Sequence, residues 1–155
     1  MTRANVHRTD FEYGDEDPPG FICGAAKLGQ AAGGEALAVK LYQAPAGESI
    51  CRYHYEYEEE WLIVLEGAAT LRTSAGEEPL ERGAVVRFAP GPGGAHKLTG
   101  RGGTPARMLM FSSAREPAVA VYPDSDKIDV WPPEPGDHVM LRRADGAVDY
   151  YAGET

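Results

Sequence analysis

Apolar residues fall in short strings along this chain, and Gly, Pro or charge cuts each string off within a few residues. Ala36–Tyr42, Trp61–Leu65, Ala84–Phe88, Arg107–Phe111 and Ala118–Tyr122 are all of strand length. None continues into the 3.6-residue repeat of a long amphipathic helix. Further strands are predicted over Phe21–Leu28, Ala68–Thr73, Pro79–Glu81, from His96 onward and over Val139–Arg143. Between them lie turn and loop signals: Gly29–Gly34, Ala44–Gly47, Ser74–Glu77, Arg82–Gly83, Ala89–Ala95, Gly100–Pro105 and Pro123–Ser125. Short strands at close intervals predict an all-β sandwich or barrel. Three segments follow from the same pattern. Residues 1–19 form a polar, acidic N-terminal arm ending in Asp17-Pro18-Pro19-Gly20, residues 20–115 the β-barrel, and residues 116–155 a less regular C-terminal extension packed on it. That extension includes a stiff connector, Trp131–Gly136.

Chemistry concentrates between Gly47 and Gly67. His54 and Glu56 are two residues apart, so on a strand they share a face. Glu60 follows a three-residue gap, long enough for a tight turn, and begins the next strand. Such a hairpin brings His54, Glu56 and Glu60 to one end of a sheet. One imidazole and two carboxylates are a plausible part of a first-row metal site. The neighbouring residues receive plainer readings. Cys51 is an odd number of positions from His54, so alternation turns it to the other face as a small buried hydrophobe. Tyr53, Tyr55 and Tyr57 also take the face opposite His54 and read as packing. Arg52 shares the His54 face, to bind an anion or to pair at the surface. Glu58 and Glu59 fall in the predicted hairpin turn and are read as solvated, and Trp61 and Phe88 as core.

Composition narrows the function classes. A chain of 155 residues suits one domain with a real core. Its 19 Gly and 12 Pro are scattered as punctuation between apolar runs, as a protein of many turns requires. A formal charge of −9 argues against a nucleic-acid partner, since phosphate binding needs a basic face. The apolar strings are too short to cross a bilayer, so no membrane partner is expected. Residues 1–20 lack the apolar core of a signal peptide, which makes the cytoplasm the expected address. There Cys23 and Cys51 should be free thiols.

Two motifs in this order resemble the cupin superfamily. Gly47, His54, Glu60 and Gly67 fill places of the first motif, and Glu60 and Gly67 keep the usual spacing. Gly83, Val85–Phe88, Pro90–Gly94 and His96 resemble the second, with about one extra residue in the turn. The resemblance covers Gly47 to about Leu98. It implies a double-stranded β-helix (jelly-roll) barrel with a metal-capable pocket, and commonly a homodimer. Family members include dioxygenases, sugar isomerases, epimerases, decarboxylases and binding domains. One departure matters: the second His of the family's His-x-His pair is Glu56 here. The implied metal ligands become His54, Glu56, Glu60 and His96, for a divalent ion such as Mn, Fe, Zn or Ni. Two carboxylates on the inner face of a barrel would repel without a cation, or one would hold a proton.

The expected function is therefore a metal-dependent enzyme of dioxygenase or isomerase/lyase type on a small polar metabolite, with catalytic residues unassigned. The alternative is a non-catalytic small-ligand-binding cupin without metal. A metal-free epimerase needs a His–Asp arrangement that the sequence does not reveal.

Overall fold

The structure, a computed structural model, describes residues 2–134 and 136–154; Met1, Pro135 and Thr155 lie outside the described residues, and Pro135 with them belongs to the predicted stiff connector. The strands are β1 (Glu12–Tyr13), β2 (Gly24–Ala26), β3 (Leu37–Ala44), β4 (Tyr55–Glu56), β5 (Glu60–Glu66), β6 (Ala68–Thr73), β7 (Gly76–Glu81), β8 (Val85–Phe88), β9 (Lys97–Arg101), β10 (Ala106–Ser113), β11 (Ala118–Tyr122), β12 (Lys127–Trp131) and β13 (Val139–Arg142). Two one-turn helices accompany them, α1 (Leu28–Ala31) and α2 (Arg143–Gly146). No helix among the described residues is long and apolar enough to cross a membrane.

All strand pairs between the named strands are antiparallel. They make a six-stranded sheet (β1-β2-β3-β10-β5-β8), a three-stranded sheet (β7-β6-β9) and a four-stranded sheet (β13-β12-β11-β4). The main core lies between the first two. Leu62 and Val64 of β5 and Met108 and Met110 of β10 meet Leu71, Leu80 and Leu98 from the smaller sheet. This is the all-β jelly-roll barrel that the strand pattern and the paired motifs anticipate.

Alternation explains where each side chain of β5 goes. Glu60, Leu62 and Val64 are buried, while Trp61 and Ile63 point outward. Trp61 is consequently 41% exposed, not core. Hydrophobicity favoured burial, but the pleat of a strand that turns Glu60 inward turns Trp61 out. The β5–β6 corner is a single residue, Gly67, at φ +67°. A Cβ there would lie 2.7 Å from the Pro105 carbonyl oxygen, so both backbone angle and space demand glycine.

The outer face of the large sheet is covered by this chain's own N-terminal part. Val6 and Phe11 pack with Ala26, Leu28 and Leu41, β1 pairs with β2, and Arg107 donates a hydrogen bond to the Val6 carbonyl. The arm is thus partly built into the sheet. The strand predicted over Phe21–Leu28 shortens to β2, and the loop predicted over Gly29–Gly34 begins inside α1, packed against β3. Gly29 makes that approach possible, since a Cβ there would lie 2.9 Å from the Val39 backbone nitrogen.

Candidate metal centre

His54 and His96 are 42 residues apart in sequence yet directly opposed in space. The His54 amide donates to the His96 carbonyl at 3.0 Å, and the His96 amide returns the bond at 2.8 Å. Reciprocal bonding of this kind holds two side chains on the same face of an antiparallel pair. Their ring centroids are 4.8 Å apart. Each ring is also fixed from behind. His54 Nδ1–H donates to the Arg52 carbonyl at 2.9 Å, and His96 Nδ1–H donates to the Gly94 carbonyl at 2.9 Å. With Nδ1 committed, each Nε2 carries the free lone pair, the tautomer a metal ligand needs. Phe88 stacks on His96 at 3.6 Å and clamps the ring further.

The carboxylates arrive from two strands. Glu56 on β4 stands 3.9 Å from His54 Nε2, and Glu60 at the start of β5 stands 3.8 Å from His96 Nε2. Side-chain donor atoms of His54, Glu56 and Glu60 lie within 4.8 Å of one another. The geometry therefore brings all four sequence-predicted residues together. These gaps are too long for hydrogen bonds. His96 Nε2 is buried and has no partner, a costly state for a polar atom. Metal bonds of about 2.1 Å put neighbouring donors roughly 3.0–3.5 Å apart, so small side-chain movements suffice. The donor set, the fixed tautomers and the orphaned nitrogen all fit a divalent cation.

Electrostatics point the same way. Burial, then the neighbouring Glu56 charge, pushes the Glu60 carboxyl up to about 8, against a weaker opposing pull from Lys40. Burial also raises Glu56. Burial, then His54, pushes His96 down to about 4, and burial lowers His54. Neutral imidazoles are ready to ligate. The carboxyls meanwhile sit in a place that resists negative charge unless a cation accompanies it.

Cys51 departs from its predicted place. Its sulfur and donor nitrogens of His54 and His96 lie within 4.8 Å of one another. Strand alternation does not apply, because residues 50–53 are bends and coil, not a regular strand. The half-buried Cys51 lines the cavity, and desolvation pushes its thiol up to about 12. Glu58 also departs: it lines the cavity and accepts a hydrogen bond from Ser113. Glu59 takes the outer position, paired with Arg87 at 2.5 Å and accepting from Trp61 Nε1 at 2.8 Å. Arg52 is exposed, its guanidinium 5.8 Å from the Phe21 ring centroid. Tyr55 is buried against Val121, Tyr57 is exposed, and Tyr53 lies under the Arg72 guanidinium at 4.1 Å.

The cavity at the site has a volume of about 360 Å³. Sequence reasoning missed much of its wall. Lys40, Tyr42 and Met110 come from inward positions of β3 and β10, and Ala118 and Trp131 from the segment after the barrel. Tyr122 on β11 lies near His54, with ring centroids 5.9 Å apart. An alternation signal on β3 could have found Lys40. Nothing local marks Tyr122, whose position depends on β11 pairing with β4. A His–Asp pair also exists. His138 Nε2 donates to Asp129 Oδ1 at 2.6 Å, with Asp129 almost fully buried, but neither residue lines the cavity.

Residues 40–112 match the cupin domain family. The chain carries a small cupin domain of the cupin superfamily, and the four converging side chains occupy its barrel. No curated protein matches the chain. Among solved structures, it is similar to a candidate sugar phosphate isomerase from Acidithiobacillus ferrooxidans, at 25% identity over 93% of this chain and 92% of that one, with a TM-score of 0.80. A cupin-superfamily sugar phosphate isomerase from Silicibacter pomeroyi matches at 23% identity over 94% and 96% of the two chains, TM-score 0.78. The polyketide cyclase RemF from Streptomyces resistomycificus matches at 20% over 76% and 83%, TM-score 0.61.

Proposed function

We propose that this protein is a metal-dependent cupin enzyme of isomerase or lyase type, acting on a small, sugar-like polar metabolite. The observation that carries the proposal is the buried, unpartnered Nε2 of His96, facing Glu60 beside a second imidazole and a second carboxylate. His54, His96, Glu60 and Glu56 would hold the ion. Such an ion supplies Lewis acidity toward a substrate carbonyl or hydroxyl oxygen. Similarity to a candidate sugar phosphate isomerase over nearly the whole of both chains supports an isomerase over a dioxygenase. Fold alone would not, since one fold hosts many chemistries.

The chain's own groups have definable work. Backbone carbonyls of Arg52 and Gly94 hold the imidazoles in one tautomer. Tyr42 and Met110 line the cavity, and Phe88 backs the His96 ring. Glu58 lies outside the four ligands yet lines the same cavity, with Ser113 orienting its carboxylate. It is the group placed to take a proton from the substrate or return one. The acting unit in this reading is a cytoplasmic homodimer. Two free thiols suit a reducing compartment.

Calorimetric titration of metal-free protein with Mn(II), Fe(II) and Zn(II) tests the reading. Wild type is expected to bind these ions, His96→Ala to weaken every one by at least tenfold, and Glu56→His to shift preference toward Ni(II), Cu(II) or Zn(II). Should wild type bind none while Glu56→His binds, Glu56 marks a lost metal site. The non-catalytic ligand-binding reading then replaces this one.

A further inference from the structure

We propose that Cys51 is a further ligand of the metal centre, giving thiophilic ions such as Zn(II), Co(II) and Cd(II) a sulfur donor where Mn(II) relies on the carboxylates. This deepens the reading above and rests on it for the presence of a metal centre. The sulfur of Cys51 and donor nitrogens of His54 and His96 lie within 4.8 Å of one another, and so do donor atoms of His54, Glu56 and Glu60. The two groups share His54, and Glu60 stands 3.8 Å from His96 Nε2. Five donors therefore converge: two imidazoles, two carboxylates and one thiol.

Strand register explains how the thiol arrives. Ser49 is bridged to Thr99 and His54 to His96, both antiparallel. His54 lies five residues beyond Ser49 whereas His96 lies three before Thr99, so this segment carries two residues more than its partner. The Ile50 amide still donates to the Leu98 carbonyl at 3.1 Å, which puts the excess between Ile50 and His54. Extra residues of this kind bend a strand and re-aim its side chains. Cys51 is the first of them, and its sulfur comes to the imidazoles. The Leu98 amide donates a hydrogen bond to that sulfur, holding it from behind as the Arg52 and Gly94 carbonyls hold the rings.

The second observation is His96. It is fully buried, and its Nε2 has no hydrogen-bond partner. A neighbouring thiol is a weak hydrogen-bonding group and gives that nitrogen little relief. As ligands of one ion, sulfur and nitrogen satisfy each other's surroundings. Bonds of about 2.3 Å from sulfur and about 2.1 Å from nitrogen put two such donors roughly 3.6 Å apart, so a separation within 4.8 Å closes by side-chain movement. The coordinating thiol gives its proton to solvent as the bond forms. Thiolate favours zinc-like ions and carboxylate favours Mn(II), while imidazole serves both. Cys23, the other free cysteine, packs against the main core and belongs to neither donor group.

The experiment titrates Co(II), Cd(II) and Mn(II) separately into reduced, oxygen-free, metal-free protein. Calorimetry gives the affinities, and near-ultraviolet absorption reads thiolate-to-metal charge transfer. Cys23→Ser leaves Cys51 as the chain's one thiol, so a thiolate band in that variant belongs to Cys51. The band is expected in wild type and in Cys23→Ser with Co(II) and with Cd(II). Cys51→Ser is expected to lose it, to weaken Cd(II) by about tenfold or more, and to bind Mn(II) as wild type does. Should Cys23→Ser fail to fold, wild type against Cys51→Ser gives the same comparison. Co(II) and Cd(II) bound without the band, or Cd(II) bound unchanged by Cys51→Ser, overturns the inference and leaves the metal centre standing. A band with Cd(II) but no uptake of Mn(II) upholds Cys51 and removes the carboxylate-held ion. Binding of none of the three ions overturns both readings.

Discussion

Glu60 carries the sharpest consequence at the scale of single residues. Its carboxyl is pushed up to about 8, so at neutral pH the metal-free protein holds a proton there. An incoming ion must displace it. Mn(II) affinity should therefore rise about tenfold per pH unit below pH 8 and level off above. Titrations in buffers of different ionisation enthalpy should report close to one proton released at pH 7; a pH-independent affinity would remove Glu60 from the ligand set. The same shift sets stability without metal. A carboxyl whose folded pKa is raised contributes fully below its ordinary value and loses that contribution as pH climbs to about 8. His96, lowered to about 4, works in the other direction, but its contribution is already complete above about 6.5. Between pH 6.5 and 8, then, Glu60 dominates this pair. Metal-free protein should lose several degrees of Tm across that window, and saturating Mn(II) should abolish the loss.

At the scale of elements, the loop between β8 and β9 does the positioning. Pro92–Gly94 form a short 3₁₀ turn, the Gly94 carbonyl orients His96, and the Gly91 amide donates to the Glu56 carbonyl at 2.7 Å. One loop thus touches the backbone of two proposed ligands. A Cβ on Gly94 would lie 1.9 Å from the Ala89 carbonyl oxygen, a collision with backbone that cannot be relieved by a rotamer change. Gly94→Ala is expected to open this turn, cost about 2–3 kcal/mol of stability, and weaken Mn(II) binding at least tenfold. Denaturant unfolding and metal titration of the same preparation check both. A variant with full metal affinity would show that the turn does not hold His96. The short strand β4 has a matching part: it joins Glu56 to the sheet of β11 and so ties the site to the segment after the barrel.

For the whole molecule, the question is what covers its exposed apolar edge. β13 ends the four-stranded sheet, pairs with β12, and leaves Val139, Met140 and Leu141 at 42%, 42% and 48% exposure. Unprotected apolar edges of this type invite strand pairing. A second copy of the chain is the occupant in keeping with the homodimer the family resemblance implies. Light scattering over a wide concentration range should give a dimer mass, and Met140→Lys/Leu141→Lys should give monomer. A wild-type monomer at every concentration would discard the homodimer.

The alternation of apolar and polar residues, broken by Gly and Pro, was enough to define an all-β chain, because strand period and turn chemistry are local properties. The spacing of His54, Glu56 and Glu60 put three of the proposed ligands together for the same reason, whereas His96 joined them through the resemblance of its segment to the second cupin motif. Other assignments required the pairing of distant strands. Cys51 lies beside the imidazoles because residues 50–53 leave the regular strand and the His54–His96 bridge draws them in. Glu58 and Glu59 are neighbours with opposite fates, one hydrogen-bonded inside the cavity by Ser113 and one paired outside with Arg87, and both partners come from other strands. Tyr122 and Trp131 reach the site only through the register of β11 with β4 and β12. Local sequence encodes which face a side chain takes; which groups share that face is decided by long-range pairing that only the folded chain contains.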